Sequence, residues 1–255
     1  MPEHITTWAA LLDDAVRHAQ AVPQFDEGAM SVEDAYAVQA ASIDRRLARG
    51  EKPVGIKLGF TSRAKMQQMG VHDLIWGQLT DAMLIEDGGE LSLEDYVHPR
   101  VEPEIAFLIE KPLSGRVTLP QVQAAIGAIA PAMEIIDSRY RDFRFSLPDV
   151  VADNASSSSL VIGPWQSARP DIANLGMVMR FDGEVRQIGS SAAILGHPLR
   201  ALVEAARLMA NAGRQLAPGD IVLAGAATAA EALRPGVHVD LRVQHLGNAE
   251  FRVRN

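Results

Sequence analysis

The 255-residue chain contains no cysteine. This excludes a disulfide framework, a thiolate zinc site and a thiol nucleophile. Positive charge is also short: 24 Lys and Arg against 32 Asp and Glu leave a net charge of −8, which argues against a nucleic-acid or anionic-membrane surface. A small anionic substrate stays open, provided a cation neutralises its site locally. No apolar run approaches the roughly 18 residues of a membrane span. Residues Met1–Ala10 lack the basic-then-apolar pattern of a secretory signal, so the sequence predicts a soluble, cytoplasmic protein. Three signatures of catalysis are missing too. There is no Gly-rich phosphate loop of the P-loop or dinucleotide type and no G-x-S-x-G nucleophile elbow. The seven histidines (4, 18, 72, 98, 197, 238, 245) form no H-E-x-x-H pair, which argues against a histidine-bound zinc hydrolase. His72 and His98 could still reach the candidate site below, but a structural role is the better reading for all seven.

The segment Val101–Phe107, V-E-P-E-I-A-F, opens an apolar run with two carboxylates, Glu102 and Glu104. In a strand, residues i and i+2 share a face, so both acids point together. Like charges that close raise each other's pKa unless a cation lies between them, and a hard oxygen-seeking ion, Mg²⁺ or Mn²⁺, is the natural occupant. A solvated strand face that carries two glutamates is the competing reading of the same residues.

Before that segment, the spacing of Trp8, Leu11, Leu12, Ala15 and Ala19 predicts a helix over about 6–22. A second helix is capped by Ser31, with Asp34 in place of the usual Glu, and ends at Gly50. Val54–Leu58 reads as a buried strand with Lys57 inside it; a lysine there either snorkels at a sheet edge or points into a polar cavity. Ser62 reads as the cap of a helix to about Met69, and Gly70–Gly77, with His72, Asp73 and Trp76, as a loop. Further strands are expected at Ala82–Glu86 and Val101–Ile109, with a helix at about Leu119–Ala128. Glu134 and Asp137 interrupt a strand-like run at 130–138. Asp153-Asn154-Ala155 and four serines, Ser156–Ser159, read as a linker or a substrate loop before a strand at Leu160–Ile162. A hairpin turns at Asp182-Gly183, a helix spans Pro198–Ala212, and strands lie at Ile221–Leu223, Val237–Val243 and Glu250–Val253. Between the last of these, Ala224-Gly225-Ala226-Ala227-Thr228 is small enough for backbone amides to approach an anion. No internal repeat or clear second domain boundary is found.

Three motifs in order, Gly55-Ile56-Lys57-Leu58-Gly59-Phe60-Thr61-Ser62, Val101-Glu102-Pro103-Glu104 and Glu134-Ile135-Ile136-Asp137-Ser138-Arg139, resemble the fumarylacetoacetate hydrolase superfamily. Within it they look like the branch of 2-oxopent-4-enoate hydratases and 4-oxalocrotonate decarboxylases. The resemblance implies an α+β fold: a mixed, strongly curved β-sheet roll or sandwich with peripheral helices. It implies one catalytic domain, 1–255, with a helical layer over 1–50 and a β-rich metal-binding core over 51–255. Glu102, Glu104 and Glu134 would hold Mg²⁺ or Mn²⁺, and Lys57 would be catalytic or substrate-orienting, a role that is easier if desolvation and the adjacent cation lower its pKa. Asn154, Ser156, Ser158, Gly225 and Thr228 fall in regions that line the substrate cavity.

Hydratases of this branch carry an Asp just before an aromatic-Gly pair, eighteen residues after the lysine. That position here is Ile75, ahead of Trp76-Gly77. Phe60, the Arg63–Gly70 run and Val97-His98-Pro99-Arg100 likewise look like the decarboxylases, although Asp73 lies close by in the same loop. The expected reaction is therefore decarboxylation of 2-oxohex-3-enedioate, with Ile75, Trp76 and Leu79 as an apolar wall near the departing carboxylate. The alternatives are hydration of the dienoate product, a non-catalytic partner role, and simple dicarboxylate binding. Homo-oligomers and a complex with a hydratase are also implied by the resemblance.

Overall fold

The computed structural model describes residues 2–62, 66, 73–167 and 171–254. Two helices open the chain, α1 (Glu3–Arg17) and α2 (Val32–Ala48). Helix α1 stops earlier than its periodicity predicts: Ala19 turns left-handed at φ 47°, and the Val22 N–H then donates to the Arg139 carbonyl at 2.8 Å. Helix α2 begins with the expected capping box, Ser31 and Asp34 each bonding the other's backbone. The two helices are tied by Asp13, whose buried carboxylate receives Arg45 Nε at 2.7 Å and Arg49 Nη2 at 2.6 Å. Neither helix carries site chemistry.

The strands follow as β1 (Pro53–Gly59), β2 (Ile75–Thr80), β3 (Leu84–Ile85), β4 (Glu90–Ser92) and β5 (Arg100–Ile109). After α3 (Leu119–Ala125) come β6 (Ile126–Ile136), α4 (Leu147–Ala152), β7 (Ser157–Ile162), β8 (Gln166–Ser167), β9 (Gly176–Phe181) and β10 (Glu184–Ser190). Helix α5 (Leu199–Asn211) precedes β11 (Ile221–Leu223), β12 (Glu231–Ala232), β13 (His238–Val243) and β14 (Gly247–Arg254). Among the described residues these form two mixed sheets. A nine-stranded sheet runs β2-β1-β11-β5-β6-β7-β3, with β12 beside β5 and β8 beside β6; the other runs β10-β9-β13-β14-β4.

Period-two alternation decides what each face of the large sheet carries. On β5, Val101, Ile105 and Phe107 join the core shared with Met179 of β9, Leu241 of β13, Phe251 of β14 and Leu202 of α5. On the opposite face Ala106 packs with Ala130 and Ala132 of β6, Leu79, Met83, Leu160 and Leu223. Glu102 and Glu104 lie on that second face. So does Glu134, the direct cross-strand partner of Glu102. On β1, Ile56 and Leu58 enter the inter-sheet core, which turns Lys57 to the carboxylate side.

Four local expectations change. Ile75–Gly77 are not loop but the start of β2, paired antiparallel with β1 at Leu58↔Trp76 and Lys57↔Gly77. Gly77 is required there, because a Cβ would stand 2.4 Å from the Asn154 carbonyl oxygen. Ser157–Ser159 are strand β7, so only Asn154–Ser156 make the turn. The strand expected at 82–86 shrinks to Leu84–Ile85 after a 3-10 turn. Helix α3 ends at Ala125 because Ile126 and Ala128 pair with Ile109 and Leu108 of β5. The helix expected after Ser62, the 63–70 run and His72 lie outside the described residues, apart from Met66.

Candidate active site

Glu102, Glu104 and Glu134 each offer a carboxylate oxygen, and these three oxygens lie within 4.8 Å of one another. Glu104 and Glu134 are fully buried and Glu102 partly so. Among the described residues, Lys57 and Gly225 answer this negative charge. Lys57 Nζ stands 3.0 Å from Glu134 Oε2, an ion pair rather than an aligned hydrogen bond, and donates to the Ala155 carbonyl at 2.9 Å. The Gly225 N–H donates to Glu104 Oε2 at 2.8 Å. Glu104 Oε1 and both Glu134 oxygens are buried and accept no hydrogen bond among the described residues.

Burial, followed by the neighbouring Glu134 charge, pushes the Glu104 carboxyl well above the usual carboxylate range despite Lys57. Burial also pushes the Lys57 ammonium down, but Glu134, Glu102 and Glu104 together outweigh it and the net displacement is upward. Three converging oxygen donors, with orphaned lone pairs on Glu104 and Glu134 among the described residues, fit a hard divalent ion.

Gly225 owes its place to its lack of a side chain. Its φ is +102°, and a Cβ would stand 2.2 Å from Thr61 Oγ1. Gly225→Ala should withdraw the amide from Glu104 and cost about 1–3 kcal/mol of stability through overpacking. Calorimetry should show a lowered melting temperature together with weaker divalent-cation binding; unchanged cation affinity would separate this turn from the site.

Above the carboxylates is a cavity of about 120 Å³, lined by Lys57, Glu102, Ile75, Ser156 and Ala226 and walled by Phe60, Phe143, Phe145 and Val150. The Ser156 hydroxyl is buried and unpaired among the described residues. Other predicted residues lie elsewhere. Trp76, next to Ile75 on β2, points to the opposite sheet face, stacks on Tyr36 at 5.2 Å and lines a separate cavity of about 550 Å³. Leu79 is buried with Met83 and Leu160. Asn154 clamps β2, accepting from the Gln78 N–H at 2.7 Å and donating to the Gln78 carbonyl at 2.9 Å. The Ser158 hydroxyl accepts from Arg139 Nη1 at 2.5 Å, and that of Thr228 donates to the Ala229 carbonyl at 3.1 Å. Asp73, the acid that kept a hydratase reading open, is paired with Arg207 at 2.5 Å. His98 is held by Asp137 and the Ser138 carbonyl.

Sequence reasoning missed Phe143, Phe145, Val150 and the Ala155 carbonyl. Only the aromatic pair left a signal, two phenylalanines in an irregular stretch with no strand or helix of its own to bury them.

The family model described as fumarylacetoacetate (FAA) hydrolase, C-terminal, matches residues 54–254. The chain belongs to this family. All the carboxylates and Lys57 fall inside the matched region, and the α+β fold with its strongly curled sheet is the fumarylacetoacetate hydrolase fold. Among curated relatives, 4-oxalocrotonate decarboxylase of Pseudomonas sp. is 57% identical over 248 residues, 97% of each chain. The 2-keto-4-pentenoate hydratase of Paraburkholderia xenovorans (strain LB400) is 36% identical over 222 residues, 86% of this chain and 82% of that one. Among solved structures, 4-oxalocrotonate decarboxylase from Pseudomonas putida G7, complexed with magnesium and adipate, superposes with a TM-score of 0.95 at 39% identity, covering 98% of this chain and 97% of that one.

Proposed function

We propose that this fumarylacetoacetate hydrolase family member is a divalent-cation-dependent carboxy-lyase. It decarboxylates 2-oxohex-3-enedioate (4-oxalocrotonate) to CO₂ and 2-hydroxypenta-2,4-dienoate or its keto form, in the meta-cleavage degradation of aromatic compounds. The observation that carries this reading is a buried ammonium, Lys57, set against three convergent carboxylates under an apolar cavity. The decarboxylase relative at 57% identity supports the same chemistry, and the magnesium and adipate of the Pseudomonas putida G7 enzyme agree with a hard cation and a dicarboxylate.

Glu102, Glu104 and Glu134 would hold Mg²⁺ or Mn²⁺. Bound there, the ion supplies Lewis acidity towards the electron pair that loss of CO₂ leaves in a conjugated 2-oxo acid. Lys57 orients a substrate carboxylate and delivers a proton from Nζ to the substrate carbon that needs it. The flanking carboxylates keep that ammonium charged, and the Ala155 carbonyl fixes its direction. The Ser156 hydroxyl, unpaired within the described protein, is free to bond the substrate. Ile75, Phe60, Phe143 and Phe145 exclude water, and with no acid at residue 75 that wall, among the described residues, has no group to activate water for hydration. Gly225 keeps Glu104 aimed, while Trp76, Asn154, Ser158 and Thr228 act from behind the cavity wall.

The same reading takes 1–255 as one catalytic domain, the 1–50 helical layer resting on the 51–255 core. It places the enzyme in the cytoplasm as a homo-oligomer, in complex with a hydratase that consumes its product; among the described residues no helix is long and apolar enough to cross a membrane.

Incubation with Mg²⁺ and 2-oxohex-3-enedioate should release CO₂, and EDTA should stop it. Rapid hydration of 2-hydroxypenta-2,4-dienoate instead would reassign the protein as a hydratase. Turnover of neither compound would leave a partner or dicarboxylate-binding role.

A further inference from the structure

The turn that presents the Ala155 carbonyl to Lys57 is conformationally costly. Asn154, Ala155 and Ser156 have φ of 51°, 52° and 58°, three successive non-glycine residues in the left-handed region. L-residues visit that region singly and at a cost, and such strain persists only where the surroundings over-determine it. Asn154 is held by its two bonds to the Gln78 backbone, and the chain on either side of the turn is held by one buried guanidinium. Arg139 is 1% exposed; its Nε donates to the Asp153 carboxylate and its Nη2 to the Asp153 carbonyl at 2.6 Å. Its Nη1 reaches past the turn to Ser158 Oγ at 2.5 Å. The Asp153 carboxylate also accepts the Arg139 backbone N–H at 3.0 Å. A single side chain therefore clasps the residue before the turn and a residue after it. Inside the clasp, the Ser156 N–H donates to the Asp153 carbonyl at 2.9 Å and the Ser156 carbonyl accepts from Asp137 at 2.8 Å.

A buried ion pair is weak evidence for stability, since desolvation offsets much of its attraction. What this pair does locally is hold a shape, and that shape touches the cavity at two points, the Ala155 carbonyl on Lys57 Nζ and the unpaired Ser156 hydroxyl.

We infer that the Arg139–Asp153 pair is a positioning element for the reaction: it locks the Asn154–Ser156 turn and so aims the Lys57 ammonium and the Ser156 hydroxyl at the substrate. The pair touches neither substrate nor cation; it acts through the turn. The inference rests on the catalytic role proposed for Lys57.

The test compares the Mg²⁺-loaded wild type with Arg139→Lys, which keeps the charge but loses the fork, and with Ser158→Ala, which releases only the far end of the clasp and leaves no buried charge unpaired. Misplacement of a reacting group by about 1 Å can cost on the order of a hundredfold. Arg139→Lys should therefore lower kcat by about that factor, and Ser158→Ala by less, while Mg²⁺ affinity by calorimetry stays at the wild-type value. In nitrogen-15 lysine NMR spectra, the Lys57 ammonium resonance, assigned by its loss in Lys57→Ala, should shift or broaden in both variants. An unmoved resonance in folded Ser158→Ala overturns the inference, as does wild-type kcat in folded Arg139→Lys. Mg²⁺ affinity falling in step with kcat would also overturn it, because the pair would then serve the carboxylates. If the wild type releases no CO₂ but the resonance moves, the decarboxylase reading fails and the positioning of Lys57 stands.

Discussion

Lys57→Met should abolish decarboxylation and at the same time tighten the binding of the divalent cation. The two effects have opposite sign because Lys57 does two things. As the one lysine that lines the cavity among the described residues, it would supply the proton and the carboxylate contact of the proposed reaction, and loss of a positioned acid or base costs about 10²–10⁴-fold in rate. As the positive partner of Glu134 at 3.0 Å, it also competes with any cation for the same carboxylates. Without it, Glu134 and Glu104 are buried beside the partly exposed Glu102, and among the described residues the Gly225 amide is the donor left to Glu104. Breaking a buried pair by removing one partner costs about 3–5 kcal/mol, so the metal-free variant should melt well below the wild type and recover when Mg²⁺ is added. Methionine is chosen because it keeps the stem volume, so that no cavity confuses the melting data. Single-turnover kinetics, calorimetric titration with Mg²⁺ and melting curves with and without the ion check the three parts. Unchanged kcat would remove Lys57 from the mechanism.

Glu104→Gln reverses the pattern. It removes a carboxylate that is fully buried, sits on the same strand face as Glu102 and belongs to the same 4.8 Å cluster as Glu102 and Glu134. The glutamine oxygen still accepts the Gly225 N–H, so the backbone of the 224–228 turn has no reason to move. Loss of even an outer partner of a metal site costs about 10–100-fold in affinity, and losing a direct ligand should cost at least that, with activity falling in parallel at fixed Mg²⁺. The metal-free protein, by contrast, is relieved of one of three mutually repelling groups and should melt higher than the wild type. A fully active, metal-independent Glu104→Gln enzyme would sink the carboxylate assignment.

Much of the local structure was legible along the chain because its signals are short-range. The Ser31 capping box, the hairpin at Asp182-Gly183 and the strand over Val101–Ile109 depend on residues a few positions apart, and all three stand where expected. The pairing of Glu102 with Glu104 on one face is of the same kind, since strand alternation alone demands it. Strand β2 was not legible. Its six residues are buried throughout, but a histidine, an aspartate and a glycine around its start look like a turn until β1 is there to pair with it. The serines of β7 misled for the same reason, as strand neighbours on β6 supply the partners that their composition seems to ask of solvent.

Within the site, the sequence by itself determined the chemistry: which acids share a strand face, that one lysine interrupts an apolar strand, and that residue 75 is not an acid. The tertiary structure decided which of those groups meet. Whether Lys57 snorkelled or faced a polar interior depended on the sheet face that Ile56 and Leu58 took. Trp76 left the cavity because its neighbour Ile75 entered it. The phenylalanines of 143 and 145 and the Arg139 clasp came from irregular chain whose course no periodicity describes. Local pattern is set by bonds and sterics within a few residues, whereas a site is set by which faces are buried against each other, and that is decided only when the whole core packs.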